Sequence, residues 1–155
     1  MIYNLDETDI IILNHLQKEG RIQRNKLAAA VNLSVPSVSE RMRKLKDRNF
    51  IEGYHAVLNS KEFGFDITAF IFIEVESSSY HRTFVDQAVE EAEVLECHST
   101  TGDGSHILKI RTKNTASLEN LLTKVQSWEG VKKTRSNIVL TTFKETRELP
   151  IRSGK

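Results

Sequence analysis

The stretch LSVPSVSERMRKLKDR, residues 33–48, decides how the first part of the chain folds. Ser34 can cap a helix by accepting a backbone N–H of the first turn, and Pro36 falls inside that turn, where a missing amide donor costs little. Three apolar residues recur at helical spacing and share one stripe that must be buried: Val38, Met42 and Leu45. The stretch therefore predicts a helix with an apolar back.

The front of the predicted helix is basic and rich in hydroxyl groups. Taken alone, such a face is most often an ordinary solvated surface. Residues 24–31 predict a shorter helix just upstream, and Asn32 stands where a left-handed residue closes it. Two short helices joined by a tight turn, the second capped by Ser34 and basic, are typical of a helix-turn-helix, whose second helix enters the DNA major groove. The combination of turn, cap and basic face therefore favours DNA binding.

Specific residues of this face can be given roles. Near its N-terminal end, hydroxyl groups and one guanidinium are predicted to reach base edges, and further along the basic residues are predicted to contact phosphates. The predicted DNA-binding residues are Ser34, Ser37, Ser39, Arg41, Arg43, Lys44, Lys46 and Arg48.

The charge distribution supports a local DNA-binding surface. The whole chain has 155 residues and a formal net charge of only +1, so its overall balance does not indicate nucleic-acid binding. Residues 18–48, however, contain nine Lys or Arg against three Asp or Glu, whereas residues 61–155 contain thirteen against fourteen. Double-stranded DNA is therefore the predicted partner of the first part alone.

The first domain is predicted to span residues 1–59. Asp6 and Asp9 have the spacing of a helix start signal, so a first helix should begin there. Residues 50–58 read as a short β segment that completes a winged variant, with Ile51, Tyr54 and Val57 packed on the helices. Residues 60–66 read as a connector.

The second domain is predicted to span residues 67–155. Alternating apolar residues and turn signals give strands at residues 67–76, 94–101, 106–112 and 131–143, and helices at 80–92 and around 118–125. The order β-α-β-β-α-β is that of a ferredoxin-like sheet with both helices on one face. The fold class is thus α+β. Phe70 and Phe72 would leave an apolar patch on the open face, which predicts a homodimer sealed sheet to sheet.

Signals for enzymatic or metal chemistry are absent from the sequence. Cys97, His98 and His106 lack metal-ligand spacing, because neighbouring residues of a strand point to opposite faces. No phosphate-binding loop or nucleophile motif occurs. The sequence predicts no enzyme, no metal and no cofactor. One cysteine, no apolar run of about 20 residues and no signal segment predict a cytoplasmic protein without a membrane partner.

An ordered set of motifs resembles one family, the leucine-responsive and asparagine-responsive (Lrp/AsnC) regulators, also called feast/famine regulatory proteins. The motifs are LDETD at 5–9, LSVPSVSERMRKL at 33–45, IEGYHAVL at 51–58, and TG at 101–102 ahead of LK at 108–109. The resemblance implies a winged helix-turn-helix followed by a ferredoxin-like regulatory domain. It also implies dimers that pair through their sheets and often form octamers, with amino acids bound between regulatory domains.

The turn after the second predicted strand acquires a role through this resemblance. By itself a Gly-rich turn is most simply a hairpin. The resemblance makes it an effector loop consisting of Thr101, Gly102, Asp103, Gly104 and Ser105. Ser105 departs from the family, because many relatives carry an acid there that would hold an ammonium group. Asp103 could substitute, the effector could differ, or the pocket could be empty.

A second pair of departures is milder. Asn32 and Asn49 stand where the family usually has Gly, and Asn is the mildest replacement at a left-handed position. The leading hypothesis is a sequence-specific transcriptional regulator modulated by a small molecule of the amino-acid class. An architectural DNA-wrapping protein is the first alternative, and a regulatory subunit of an enzyme is the second.

Overall fold

The computed structural model describes residues 5–102 and 104–152, which divide into two compact units. The second unit spans Leu58–Phe143. The first unit contains the described residues up to Val57 and also those from Lys144 to 152. The sequence-based division assigned this last segment to the second domain. The structure instead groups it with the helices at the beginning of the chain.

Three helices form the first unit: α1 (Glu7–Lys18), α2 (Arg24–Val31) and α3 (Val35–Asp47). The backbone N–H of Asp9 donates to Asp6 Oδ1 at 2.8 Å, so α1 begins at the predicted cap. One apolar cluster joins the three helices and consists of Ile12, Leu13, Leu16, Leu27, Ala28, Val38 and Leu45. This packing leaves the front of α3 outside the core.

Two asparagines adopt the left-handed conformation expected of them. Asn32 closes α2 with φ 52°, and its N–H bonds the carbonyl groups of the last turn. Asn49 follows α3 with φ 60°. The tight turn between α2 and α3 therefore forms without glycine, because Asn tolerates a positive φ better than most side chains.

The predicted β segment after α3 is not found. Residues 51–59 form no strand, and although Ile51 packs on the helical core, the Val57 side chain is 99% exposed. A strand needs a neighbouring strand to satisfy its backbone groups, and this unit offers none in its described part. The segment from 144 to 152 supplies other contacts, since Ile151 packs on the core and Leu149 N donates to Gln17 Oε1 at 2.6 Å.

The second unit contains the predicted ferredoxin-like fold. Its strands are β1 (Ile67–Val75), β2 (Val94–Ser99), β3 (His106–Thr112) and β4 (Val131–Ile138), and its helices are α4 (His81–Glu90) and α5 (Thr115–Gln126). Short 3₁₀ turns lie at Ser60–Phe63 and Ser78–Tyr80. The antiparallel strands run in the order β2-β3-β1-β4, which confirms the fold class. The last strand ends at Ile138, before the predicted residue 143.

The two faces of the sheet differ in chemistry. Alternate residues of β1 and β3 are fully buried together with residues of the helices, and these include Ala69, Ile71, Ile73, Leu108, Ile110 and Phe84. Phe70 and Phe72 lie on the opposite face, as predicted, and are half-buried. The guanidinium of Arg135 lies 4.9 Å from the centroid of the Phe72 ring. The open face is therefore amphipathic, not the bare apolar patch that the strand pattern predicted.

None of the helices within residues 5–102 and 104–152 combines the length and the apolar composition that crossing a bilayer requires.

Candidate DNA interface and effector pocket

The N-terminal end of α3 is held by its own serines. Ser34 Oγ accepts from the backbone N–H of Ser37 at 3.3 Å and lies 2.8 Å from the hydroxyl group of Ser37. Both residues are exposed, although part of their hydrogen-bonding capacity already serves the cap. Ser39 lies further along, half-buried, and its Oγ accepts from Arg24 Nη1 at 3.3 Å. Arg24 thus lies beside α3, a placement that the sequence reasoning missed.

Arg41 is placed differently from the sequence prediction. Its Nη1 donates to Asp6 Oδ2 at 2.6 Å and to Asp9 Oδ1 at 2.8 Å, so the guanidinium is turned toward the start of α1. Both carboxylates raise the pKa of the guanidinium through hydrogen bonds. In this structure Arg41 therefore joins α3 to the capping box of α1, and its role at base edges stays a prediction that would require the guanidinium to leave these acids.

The other arginine in the middle of α3 is paired within the helix. Arg43 donates to both oxygens of Glu40, at 2.9 and 2.7 Å, and to Asp47 Oδ2 at 2.6 Å. Its side chain remains 60% exposed, so these pairs face solvent and are readily exchanged for other anions. Glu40 raises the pKa of Arg43 most, through a hydrogen bond. Arg43 can reach a phosphate only by giving up one of these acids.

The last turns of α3 carry three accessible cations. Lys44 is 64% exposed and lies 3.7 Å from Glu40, beyond a normal hydrogen bond. Lys46 is exposed, and the guanidinium of Arg48 lies 5.0 Å from the centroid of the Phe50 ring. These three residues place exposed positive charge at the C-terminal end of α3.

The predicted effector loop connects β2 to β3 and is anchored to β1. Ser105 N donates to Ile73 O at 2.8 Å, and Gly104 N donates to Gly102 O, also at 2.8 Å. Gly104 has φ 140°, and a Cβ there would lie 2.9 Å from Ile73 O, so only glycine fits. Asp103, one of the predicted effector residues, lies outside the described residues.

The hydroxyl group of Ser105 is engaged in the same anchor. It donates to Ile73 O at 3.2 Å, accepts from Val75 N at 3.3 Å, and lies 2.9 Å from His106 Nδ1. His106 Nε2 lies 2.8 Å from His81 Nδ1. Burial lowers the pKa of His106, and the charge of His81 lowers it further, which favours a neutral ring. Ser105 therefore belongs to a network that links the loop, β1 and α4.

The structure forms a pocket of about 660 Å³ beside this loop. It is lined by Phe72, Glu74, Thr100, Gly102, Gly104, Ser105, Lys133, Thr134 and Arg135. Three of the five predicted effector residues thus line it, and Thr101 does not. The sequence reasoning missed the residues from β1 and β4, because only the order of the strands brings them next to the loop.

The lining of this pocket contains one described acid and two bases. Glu74 Oε1 accepts from Lys132 Nζ at 2.7 Å, and this hydrogen bond is the largest cause that lowers the pKa of the Glu74 carboxyl group. Lys133 and Arg135 add two further cations to the lining. The one described acid of the lining is therefore already paired with a base.

Comparisons with known proteins identify the family. Residues 68–149 match the Lrp/AsnC ligand binding domain, and residues 5–52 match a winged helix-turn-helix DNA-binding domain. The chain belongs to the Lrp/AsnC family. It is therefore a DNA-binding transcriptional regulator with a ligand-binding domain, as the resemblance predicted.

Individual relatives cover nearly the whole chain. The HTH-type transcriptional regulator FL11 of Pyrococcus furiosus is 37% identical over 96% of this chain and 97% of its own. The leucine-responsive regulatory protein of Escherichia coli is 34% identical over 97% and 93%, respectively. The transcriptional regulator NMB0573 of Neisseria meningitidis, solved as a complex with L-Met, has a TM-score of 0.91 and 29% identity, and the match covers 95% of this chain and 97% of that one.

A second solved structure also contains an amino acid. The feast or famine regulatory protein Rv3291c of M. tuberculosis, complexed with L-methionine, has a TM-score of 0.87 and 32% identity over 94% of this chain and 98% of that one. The named relatives are regulators. Within residues 5–102 and 104–152, no group of three or more His, Cys, Asp or Glu side chains could hold a metal ion.

Proposed function

We propose that this regulator binds duplex DNA with the exposed front of α3 in the major groove. The exposure of Lys44, Lys46 and Arg48 carries this proposal, since exposed cations at the end of the helix can meet the phosphate backbone. They contact phosphates, while Ser34 and Ser37 lie at the end of α3 that meets base edges. Two further members of the predicted set can contact DNA only after they leave partners within the protein. Ser39 would have to leave Arg24, and Arg43 would have to leave one of its two acids.

The salt dependence of DNA binding tests the phosphate contacts. Each phosphate neutralised releases counterions, so Lys44→Gln should reduce the slope of log affinity against log salt by about 1. Lys18→Gln is the matched control, because Lys18 is exposed on α1 of the same unit. Equal slopes for Lys44→Gln, Lys18→Gln and the unmodified protein would show that α3 does not carry the interface.

We propose further that two copies pair through the open faces of their sheets. Phe70 and Phe72 lie on that face, and Arg135 and Arg111 surround them with charge. Pairing would remove aromatic surface from water and would present two copies of α3 to a pseudo-palindromic site. Light scattering should give a dimer or a multiple of it, up to an octamer. Phe70→Glu should shift the mass toward the monomer, whereas Val89→Glu, at an exposed position of α4 on the helical side of the sheet, should not.

The pocket beside the effector loop is proposed to bind a small molecule of the amino-acid class that modulates DNA binding or assembly. Two structural relatives were solved with L-methionine, and this chain forms a pocket of ligand size beside its predicted effector loop. Calorimetric titration with a panel of amino acids tests the proposal. Silence across the panel would favour a regulator without an effector.

An architectural DNA-wrapping protein remains the second candidate, and one observation favours it. Because Arg41 is held by α1, the base-edge end of α3 lacks the guanidinium that would read guanine. Phosphate contacts without such a reader give weak sequence preference. A broad footprint that repeats with the helical period of DNA would support wrapping, whereas a compact footprint would support sequence-specific regulation.

A further inference from the structure

The effector loop is tied to α4 by a chain of hydrogen bonds that begins at an exposed histidine. His81 is the first residue of α4 and is exposed, and its Nδ1 lies 2.8 Å from Nε2 of His106. His106 is 1% exposed, and its Nδ1 lies 2.9 Å from the hydroxyl oxygen of Ser105. That hydroxyl group lies 3.2 Å from Ile73 O and accepts from Val75 N at 3.3 Å. We call His81, His106 and Ser105 the histidine relay.

The relay can hold its protons in two arrangements, because a nitrogen of a neutral imidazole ring either donates or accepts. In the first, His81 Nδ1–H donates to His106 Nε2, and His106 Nδ1–H donates to Ser105 Oγ. The hydroxyl proton of Ser105 is then directed to Ile73 O. In the second, the Ser105 hydroxyl group donates to His106 Nδ1, and His106 Nε2–H donates to His81 Nδ1. Ile73 O then loses the hydroxyl donor and keeps the backbone N–H of Ser105.

A proton gained by His81 allows only the first arrangement. Both ring nitrogens of a charged histidine are donors, so Nδ1 of a charged His81 cannot accept from His106. A neutral His81 allows both arrangements, because its Nδ1 either carries or lacks a proton. Charge on His81 therefore commits the Ser105 hydroxyl group to Ile73 O. Histidine side chains ordinarily change charge between about pH 5 and 8.

The surroundings of the relay keep His106 neutral while His81 gains the proton. Burial lowers the pKa of His106, and the charge of His81 lowers it further. Phe84 of α4 lies 4.7 Å from the His106 ring between centroids, and Trp128, which follows α5, packs against Phe84. His81, by contrast, is in contact with water, so its charge costs little desolvation.

The ion pairs described on the neighbouring elements lie away from the relay. They join Glu74 to Lys132, Glu96 to Lys109, and Glu91 to Lys124. The first two carboxylates belong to the open face of the sheet, whereas His106 lies on the face that the helices cover. The third follows the far end of α4, about 15 Å from His81 along the helix axis. Arg82 follows His81 and is exposed.

We propose that His81 is a proton sensor that sets how firmly the effector loop is anchored to β1. With His81 charged, Ser105 gives Ile73 O two donors, its hydroxyl group and its backbone N–H. With His81 neutral, the hydroxyl group is shared with His106, and the loop opens more readily. Because Gly104 and Ser105 line the pocket, the same proton should change the affinity for a ligand. Only this last consequence rests on the proposed effector function.

Nuclear magnetic resonance of the full-length protein with nitrogen-15-labelled histidine tests the relay without a ligand. Between about pH 5.5 and about pH 7.5, the His81 ring should lose a proton. Over the same range, part of the His106 population should move its proton from Nδ1 to Nε2. The proposal would be overturned by a His106 ring that keeps one tautomer throughout the titration of His81, or by one that itself becomes charged.

Amide hydrogen exchange measures the strength of the anchor. Exchange of the Ser105 amide, expressed relative to the intrinsic rate at each pH, should be roughly fivefold slower at the lower pH, the factor expected for one hydrogen bond. The amide of Leu108, which is buried in β3, is the reference and should show no such difference. Equal protection of the Ser105 amide at both pH values would contradict the proposal.

Variants assign the pH dependence to the relay. His81→Gln should abolish it, because a glutamine side chain does not titrate, and Ser105→Ala should abolish it by removing the hydroxyl group. His98→Gln is the matched control and should retain it, because His98 lies on β2 of the same unit and bonds Glu96 outside the relay. A pH dependence that survives in His81→Gln would assign the effect to another group and overturn the proposal.

Calorimetric titration with a panel of amino acids that includes L-methionine separates the relay from the proposed effector function. Binding should be tighter at the lower pH by no more than about fivefold, because a firmer loop is better pre-organised, and His81→Gln should remove the difference. Silence across the panel together with the expected tautomer change would overturn the effector function and support the relay. Binding with an unchanged His106 tautomer would overturn the relay and leave the effector function intact.

Discussion

Replacing Arg41 should destabilise the first unit and should not act primarily on the reading of bases. In Arg41→Gln the two ion pairs to α1 are lost, at 2.6 Å to Asp6 and at 2.8 Å to Asp9. The two partners differ in their environment, because the side chain of Asp6 is 53% exposed and that of Asp9 only 12%. Water can replace the guanidinium at Asp6 more easily than at Asp9.

The size of the effect follows from this difference. An ion pair with a half-exposed partner contributes about 0.5 kcal/mol. The shielded carboxylate of Asp9 loses a charged hydrogen bond, which costs roughly 1.5 kcal/mol, near the lower end for such bonds because Asp9 keeps its contact with the Asp6 amide. The free energy of unfolding of this unit should therefore fall by about 2 kcal/mol, and the opening equilibrium should rise about 30-fold.

Native-state hydrogen exchange measures this change within the unit concerned. The backbone amides of Leu27 and Leu45, whose side chains are buried in the helical core, should exchange about 30-fold faster in Arg41→Gln. The amide of Leu108 in the buried part of the sheet is the internal reference and should not change. Arg43→Gln is the matched control, because the described partners of Arg43 both belong to α3 and its side chain is 60% exposed.

DNA binding tests the opposite possibility, that Arg41 reads a base. If Arg41 only joins α3 to α1, Arg41→Gln should lower the affinity for selected and for random DNA by similar factors, through the loss of folded protein. The reasoning would be refuted by unchanged hydrogen exchange together with lost preference for sequences that the protein selects from a random pool. That result would show that Arg41 leaves the carboxylates and reads a base.

Three further perturbations test other parts of the structure. Burial raises the pKa of Asp6, but the Asp9 amide and Arg41 lower it more, so the folded pKa lies below the ordinary value of 3.8. The ionised carboxylate therefore stabilises the fold above its ordinary pKa, and this contribution is lost as the pH falls through the lower folded value. Acid titration followed by circular dichroism should show a smaller loss of stability in Arg41→Gln. Gly104→Ala should weaken the anchor of the effector loop by roughly 1–3 kcal/mol, because the new Cβ would lie 2.9 Å from Ile73 O at a positive φ, and faster amide exchange at Ser105 would report it. Asn32→Ala should lower the midpoint of thermal unfolding through about 1 kcal/mol of left-handed strain, whereas Asn32→Gly should not.

Local signals predicted the helices and turns of the first unit well. Asp6 and Ser34 cap α1 and α3 as expected, and Asn32 closes α2, because each of these interactions lies within a few residues of sequence. The partners of Arg41 lie 35 and 32 residues away, and helical periodicity does not show which side of α1 a side chain meets. A placement that depends on the packing of two helices was therefore inaccessible to the pattern.

In the second unit, too, local features could be predicted and contacts between distant residues could not. The alternation of apolar and polar residues predicted the strands. The order of strands and helices along the chain predicted the sheet, because few topologies satisfy both patterns. The effector loop could be located by its glycines and by the resemblance. The opposite wall of the pocket could not, since Glu74 and Arg135 come from strands that approach the loop only through the register of the sheet. The missed signal was the cluster of bases at 132–135 on the last predicted strand.

The departures from the family pattern have different consequences. The two asparagines concern the geometry of the backbone, and Ser105 concerns the chemistry of the effector loop. Asn32 and Asn49 replace glycine, and their positive φ values keep the path of the backbone. Ser105 stands where the resemblance predicts an acid, and its hydroxyl group is used within the fold, so neither the charge nor the hydrogen-bonding capacity of a carboxylate is supplied there. The effector loop nevertheless stays anchored to β1, because the backbone N–H of Ser105 donates to Ile73 O at 2.8 Å. Ser105 therefore helps to hold the loop in place, whereas it does not supply the charge that an acid at this position would bring.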